Sequence, residues 1–248
     1  MPGTTLQFER IAVTLNLLAN RIFERFPESG LYKVSQELVS LGKTARVRAP
    51  SIGRPIYPLR VAVGVLIVAI LAIVVSLLLA GLDSIDQPAR FSLFELLTAL
   101  ESGTNEIVLI GLAILFLVSL ETRIKRARVL RAIHELRSLA HVIDMHQLTK
   151  DPGYFRSSAE ATKSSPKRML SLSELVRYLD YCSELLAITS KFAALYAQEM
   201  NDQVVLAAVS DVENLVSGLS RKIWQKLDIA DEIHGRRRPV QATINDQR

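Results

Sequence analysis

The chain of 248 residues is poor in cysteine, since Cys182 is the only one. A single cysteine excludes an intramolecular disulfide. Tryptophan also occurs once, aromatic residues together make up 6% of the chain, and no nucleic-acid-binding module is recognisable. A nucleic-acid partner is therefore not expected, although the net charge is +5 and the isoelectric point is about 9.4.

Sequence motifs for nucleotide binding and catalysis are missing as well. The tripeptide at 42–44 matches the end of a phosphate-binding loop, but Glu37 stands where that loop needs its first glycine. No glycine-rich nucleotide fingerprint occurs, and neither Cys182 nor any serine lies in a recognisable nucleophile context. We therefore expect no enzymatic activity and no cofactor.

Three of the four histidines lie within residues 134–146. On a helix, His134 and His141 are two turns apart on one face, and Asp144 lies one turn beyond His141. Together with a carboxylate from a neighbouring helix, such a face could hold a divalent metal. The zinc-protease pattern fails, because Ser138 stands where its second histidine is required. We interpret the segment as a polar helix face without a metal, and His134, His141 and Asp144 are the candidate ligands of the alternative.

What the chain does contain is two long apolar runs. The first, residues 61–82, has 22 residues without a charge or a proline. As a helix it is about 33 Å long, enough for a hydrocarbon core of about 30 Å. The second, residues 107–120, is strictly apolar over 14 residues, and its flanks extend it to 104–122. We predict transmembrane helices over 61–82 and 104–122; local thinning of the bilayer, snorkelling of flanking side chains or oligomerisation would accommodate the shorter span.

The distribution of basic residues predicts the topology. Residues 1–60 contain nine Lys and Arg, whereas residues 83–106 contain one, Arg90, among five acidic residues. Lys and Arg near membrane helices stay on the cytoplasmic side, so both termini are expected in the cytosol. Basic cytosolic flanks and a compact outer loop favour a bacterial plasma (inner) membrane. The residues predicted to contact anionic lipid headgroups are Arg46, Arg48, Arg54, Arg60, Arg123, Lys125, Arg126 and Arg128.

Between the two runs, residues 83–103 form the predicted outward connector. Residues 91–103 carry an apolar stripe and are interpreted as an interfacial helix lying on the membrane surface. The alternative for this segment is a re-entrant or pore-mouth helix, with Glu95 and Glu101 as a cation-attracting ring in an oligomer. The alternative for the whole chain is a homo-oligomeric channel whose second span lines the pore. In that channel Glu106 would form the outer ring and Glu121 the inner ring, and Gly111 would allow close packing.

The other segments are predicted to be cytosolic. Residues 1–45 contain two amphipathic helices, the second of which ends near Gly42, and residues 46–60 form a basic, proline-rich linker. The helix of the second span continues over 123–148, and residues 149–170 form a mobile loop.

A helical hairpin with a seven-residue apolar repeat is predicted over 171–233. Ser171 and Glu174 form a capping box at its start, and Asn201 and Asp202 supply either a break or a new N-cap before the second helix. Residues 234–248 are a basic tail, predicted to be disordered. The repeat indicates either tight packing within the chain or self-association through a coiled coil. The seam of that coiled coil consists of Leu175, Leu179, Cys182, Leu186, Thr189, Ala193 and Tyr196.

These features predict an all-α integral membrane protein with a two-helix transmembrane hairpin and a cytosolic antiparallel helical bundle. The predicted function is that of a membrane-anchored, non-enzymatic scaffold or adaptor, whose bundle self-associates or binds a protein partner. A homo-oligomeric ion channel, or a subunit that gates one, is the alternative. The expected partners are anionic lipids and either further copies of the chain or another protein.

Overall fold

The computed structural model describes residues 6–83, 93–156, 163–165 and 170–245. Among these residues the regular structure is entirely helical and no strand occurs, which confirms the all-α prediction. The chain divides into two compact units. We call Met1–Gly53 together with Val129–Arg248 the helical unit, and Arg54–Arg128 the apolar unit.

The α-helices in chain order are α1 (Phe8–Arg25), α2 (Gly30–Gly53), α3 (Tyr57–Asp83), α4 (Leu93–Leu148), α5 (Leu172–Glu199) and α6 (Gln203–Asn245). A short 3-10 helix, Pro152–Phe155, lies between α4 and α5. The helical unit contains α1, α2, α5 and α6, the apolar unit contains α3, and α4 contributes residues to both.

The core of the helical unit is organised around α5, which packs against α1, α2 and α6. This helix can contact three others because its apolar residues cover more than one face. Leu179 and Leu186 of the predicted seam are completely buried, and so are Leu185 and Phe192 beside it. The C-terminal part of α4 joins the same core through residues such as Ile143. Burying a leucine or phenylalanine side chain stabilises a fold by about 1.5–3 kcal/mol, so this cluster dominates the stability of the unit.

The helix starts follow the local signals in the sequence. The Ser171 hydroxyl accepts from the Glu174 N–H (3.3 Å), and the Glu174 carboxylate accepts from the Ser171 N–H (2.8 Å), which confirms the capping box. The Ser171 N–H and the Ser171 hydroxyl both donate to this carboxylate and lower the pKa of Glu174. At the start of α6, the Asp202 carboxylate accepts from the N–H groups of Val204 and Val205 (3.0 and 3.3 Å), which confirms the second N-cap.

The predicted end of the second helix near Gly42 is wrong, because α2 continues to Gly53. Residues 46–53 of the predicted linker are therefore part of this helix. Ala45 and Ile52 are buried in the core, so tertiary packing extends the helix. Gly42 has a packing role instead. A Cβ atom there would lie 2.9 Å from Cζ of Phe192, closer than side-chain carbons approach one another.

The predicted boundary between an interfacial helix and the second span is also wrong. Residues 91 and 92 lie outside the described part of the chain, but α4 runs without interruption from Leu93 to Leu148. The stretch around Gly103 contains no proline, and a single glycine costs a helix only about 1 kcal/mol relative to alanine. One continuous helix therefore replaces the predicted separate elements.

Two cytosolic predictions differ from the structure in part. The beginning of the predicted loop 149–170 is packed, since Pro152 is buried and Arg156 lies 2.9 Å from Glu232. Residues 157–162 and 166–169 of that loop lie outside the described residues. The predicted disordered tail is helical as far as Asn245. Buried Ile233 anchors α6 just before the tail, and helix propagation from an existing turn is cooperative.

In the apolar unit, none of the side chains that the structure describes is buried. α3 begins at Tyr57, with Pro58 in the first turn, where its missing N–H interrupts no intrahelical hydrogen bond. Both α3 and α4 contain segments long and apolar enough to cross a membrane, with mean hydropathy of 2.8 and 2.2. In the most apolar 18-residue window of each helix, no residue is buried. The predicted connector residues 84–90 lie outside the described part of the chain.

Gly42→Ala tests the packing role of this glycine. The added methyl group meets the fully buried ring of Phe192, so we expect a loss of about 1–3 kcal/mol in unfolding free energy, the usual cost of overpacking. Gly218→Ala in α6 is the matched control, because nothing lies within 4 Å of its added methyl group. The control should be neutral or up to about 1 kcal/mol more stable. Chemical unfolding of the detergent-solubilised chain, followed by circular dichroism, measures both; equal stability of the two variants would contradict the proposed contact.

Candidate functional site

A polar cluster in the apolar unit joins the start of α3 to the middle of α4. The Glu121 carboxylate accepts from Arg60 Nε (2.6 Å) and from the Ile56 N–H (3.2 Å), and it lies 2.8 Å from Lys125 Nζ. Only 14% of the Glu121 side chain and 14% of the Lys125 side chain are exposed. Charge-assisted hydrogen bonds of this kind are stronger than neutral ones, so they hold the two helices beside each other. We call these four residues the Glu121 cluster.

This cluster changes the roles that the sequence suggested for its members. Arg60 and Lys125 were predicted to contact lipid headgroups, and Glu121 to form the inner ring of a pore. In the structure Arg60 and Lys125 each bind Glu121 of the same chain. The sequence did contain a signal for this arrangement, because Glu121 and Lys125 are four residues apart on one helix.

The other predicted lipid contacts lie in several environments. Arg46 lies 2.9 Å from Glu9, and Arg48 lies 3.6 Å from Glu135. Arg123 lies over the ring of Phe116, with 5.2 Å from its guanidinium carbon to the ring centroid. Arg54 and Arg128 are exposed, and Arg126 is partly exposed. Because an exposed ion pair contributes only about 0–1 kcal/mol, a lipid phosphate can still compete for Arg46 and Arg48.

The two other predicted pore residues lie on the exposed surface of α4. Glu106 and Gly111 are both exposed, and nothing lies within 4 Å of the position of a Cβ atom at Gly111. Close packing at Gly111 therefore requires another chain.

The histidine face does not assemble a metal site among the described residues. His134 and His141 are exposed, and Asp144 accepts a hydrogen bond from the Gln147 side chain. No group of three histidine, cysteine or acidic side chains in the described part of the chain is arranged to hold a metal ion. His146 lies elsewhere, against Gly30 at the start of α2.

All seven seam residues are buried within the helical unit. Their exposed fractions range from 0% for Cys182 to 4% for Leu175. This burial favours packing within the chain over the coiled-coil alternative, because these side chains are already in contact with the chain's own core. Burial raises the pKa of the Cys182 thiol to about 12, so this thiol is protonated at neutral pH and inert towards electrophiles.

Sequence reasoning missed a buried polar contact between α4 and α6. Lys226 Nζ donates to the backbone oxygen of Gln147 (2.6 Å) and to its side-chain oxygen (2.7 Å). The lysine thus satisfies a carbonyl at the C-terminus of α4, where a positive charge is favourable. Burial lowers the pKa of Lys226, partly opposed by Asp151 and Asp144. The sequence held no signal for this pair, because the two residues are 79 positions apart.

Lys226→Met tests this contact. The substitution leaves the side-chain oxygen of the buried Gln147 without its donor, while its backbone oxygen keeps the Lys150 N–H (3.1 Å). We expect a loss of about 1–3 kcal/mol in unfolding free energy. Lys222→Met, one turn earlier on the exposed surface of α6, removes the same charge and should change stability by less than about 0.5 kcal/mol. Chemical unfolding followed by circular dichroism compares them. Equal effects of the two variants would mean that the Lys226 hydrogen bonds contribute no net stability.

Comparison of the chain with protein-family models, with curated proteins and with solved structures finds no match. The features that bear on function are therefore the exposed apolar helices, the Glu121 cluster and the surface of the helical unit.

Proposed function

We propose that this chain is a membrane-anchored, non-enzymatic scaffold or adaptor. The observation that carries the proposal is the contrast between the two units. The helical unit buries its own apolar residues in one core, whereas the apolar segments of α3 and α4 bury none of theirs. Leaving two such segments in water is unfavourable by about 25 cal/mol per Å² of apolar surface, and a bilayer removes that cost.

The orientation follows from the basic residues beside the apolar segments. Arg54, Arg60 and the basic residues of 123–128 flank the cluster-side ends of the two apolar segments, at the start of α3 and in the middle of α4. Under the positive-inside rule these ends face the cytosol, together with both termini and the helical unit. A bacterial plasma membrane is the proposed location, and anionic headgroups are the proposed counter-charge for the exposed arginines.

Partner binding is assigned to the outer surface of the helical unit. The seam residues are buried in the core, so a second copy or another protein must use side chains that remain exposed. Val13 and Leu17 are one turn apart on α1 and are 58% and 59% exposed. The exposed face of α1 is therefore the first candidate for that contact.

The channel remains the second candidate because Glu106 and Gly111 are exposed on α4. A pore built from several copies would need these residues to face one another. Glu121 is a poor pore residue, since its carboxylate is held by Arg60, Lys125 and the Ile56 N–H of the same chain.

Cysteine labelling in intact cells tests membrane insertion and orientation. Ser102→Cys and Ser138→Cys place thiols at two exposed positions of α4, on opposite sides of the proposed second span. A membrane-impermeant maleimide should label Ser102→Cys directly and Ser138→Cys only after permeabilisation. The unsubstituted chain is the control, because its buried Cys182 should not react. Labelling of Ser138→Cys in intact cells would contradict the orientation.

The native mass of the full chain separates the two candidate functions. For a scaffold or adaptor we expect a monomer of 27.6 kDa or a dimer after extraction into nanodiscs, measured by native mass spectrometry. A closed ring of four or more copies would favour the channel. In that case, cation flux into liposomes should be lost in Glu106→Gln.

A further inference from the structure

The helical unit contains a cleft of about 660 Å³ at the corner between α1 and α2. Its volume lies within the range of about 300–1,000 Å³ that is usual for small-molecule sites. The turn between α1 and α2 forms one wall, the C-terminal end of α4 forms another, and α5 contributes Tyr178. We call it the His146 cleft, and the side chains that matter for its chemistry are Phe26, Glu28, Met145, His146, Lys150 and Tyr178.

Two aromatic rings form an apolar surface inside this cleft. Phe26 and Tyr178 meet edge to face, with 5.4 Å between ring centroids, and both residues are buried. Burial also raises the pKa of Tyr178, so its phenol stays protonated and can donate a hydrogen bond. Met145 adds a flexible apolar side chain that is 68% exposed. This surface suits the flat or flexible apolar part of a ligand.

A single positive charge lies against that surface. Lys150 Nζ is 5.2 Å from the centroid of the Tyr178 ring. In the part of the chain that the structure describes, no carboxylate lies within ion-pair distance of this ammonium. The ring holds the ammonium in place without neutralising its charge.

The imidazole of His146 completes the wall beside Lys150. It packs so closely on Gly30 that a methyl group at position 30 would overlap the ring. Burial is the main cause that lowers the pKa of His146, and the charge of Lys150 lowers it further. At neutral pH the imidazole is therefore uncharged, and it can offer a hydrogen bond to a ligand. Among the described residues that line the cleft, only Lys150 carries a positive charge.

The polar groups of the turn have other partners or face solvent. The Ser29 hydroxyl donates to the Phe26 carbonyl (2.8 Å) and accepts from the Tyr32 N–H (3.1 Å). Among the described residues, Glu28 is the one acidic residue that lines the cleft, and it is exposed, so water and salt screen its charge.

We propose that the His146 cleft binds a small amphipathic anion, with its carboxylate or phosphate at the Lys150 ammonium and its apolar body on Phe26, Tyr178 and Met145. A cation is disfavoured by Lys150. This site is separate from the Glu121 cluster and from the exposed face of α1. It gives the proposed adaptor a means of sensing a small molecule or a lipid headgroup.

Calorimetric titration of the full-length protein in detergent with naphthalene carboxylate tests the proposal. We expect saturable binding of one molecule per chain. Lys150→Met should weaken it by about tenfold or more, the effect of losing one charge-assisted hydrogen bond. Lys150→Arg should retain most of the affinity, and Glu28→Gln should increase it. Lys191→Met, a lysine of α5 that lines a different groove, is the matched control and should bind like the unsubstituted protein.

Two results would overturn the proposal: no saturable binding to the unsubstituted protein, or equal weakening by Lys150→Met and Lys191→Met. Circular dichroism of each variant separates lost binding from lost folding. Repeating the titration in phosphatidylcholine nanodiscs, with and without phosphatidylglycerol, identifies the natural source of the anion. Competition by phosphatidylglycerol would assign the cleft to a lipid headgroup, and unchanged binding would assign it to a soluble anion.

Discussion

Phe192 and the leucines around it on α5 are buried by several helices at once, and the helical unit depends on that burial. The contact explains a glycine in another helix, because Gly42 of α2 leaves the space that the Phe192 ring fills. It also explains why α2 continues beyond Gly42, since Ala45 and Ile52 extend the same packed surface. The seven-residue apolar repeat of α5, a pattern typical of interfaces between chains, is thus buried inside one chain.

Ionic contacts have different roles in the two units. In the apolar unit, Glu121 pairs with Arg60 of α3 and with Lys125 of its own helix α4. In the helical unit, Lys226 completes the hydrogen bonding of the α4 C-terminus. The side chains of Glu121 and Lys125 are each 14% exposed and Gln147 is buried, so the loss of a partner would leave a poorly hydrated polar group. The exposed pairs of Arg46 and Arg48 contribute only about 0–1 kcal/mol each.

The proposed function combines these features. An anchor of two apolar helices needs an internal contact to keep the helices together, and the Glu121 cluster supplies it. A scaffold needs a stable unit with a free surface, and the core around α5 provides that stability while Val13 and Leu17 stay exposed. The His146 cleft adds a charged, aromatic-lined cavity within the same unit. Its lysine and its aromatic rings come from three different helices or their ends, so it exists only when the unit is folded.

The sequence by itself determined the helical class, the two apolar segments and the helix starts at Ser171 and Asp202. These features depend on local composition, on a repeat along one helix or on a cap within a few residues. Tertiary structure decided where α2 ends, that α4 is continuous, and which partners Glu121, Lys226 and His146 have. Those outcomes depend on contacts between residues far apart in the chain, such as Arg60 with Glu121 or Gln147 with Lys226. A periodic pattern predicts which face of a helix is buried, but only packing decides what that face is buried against.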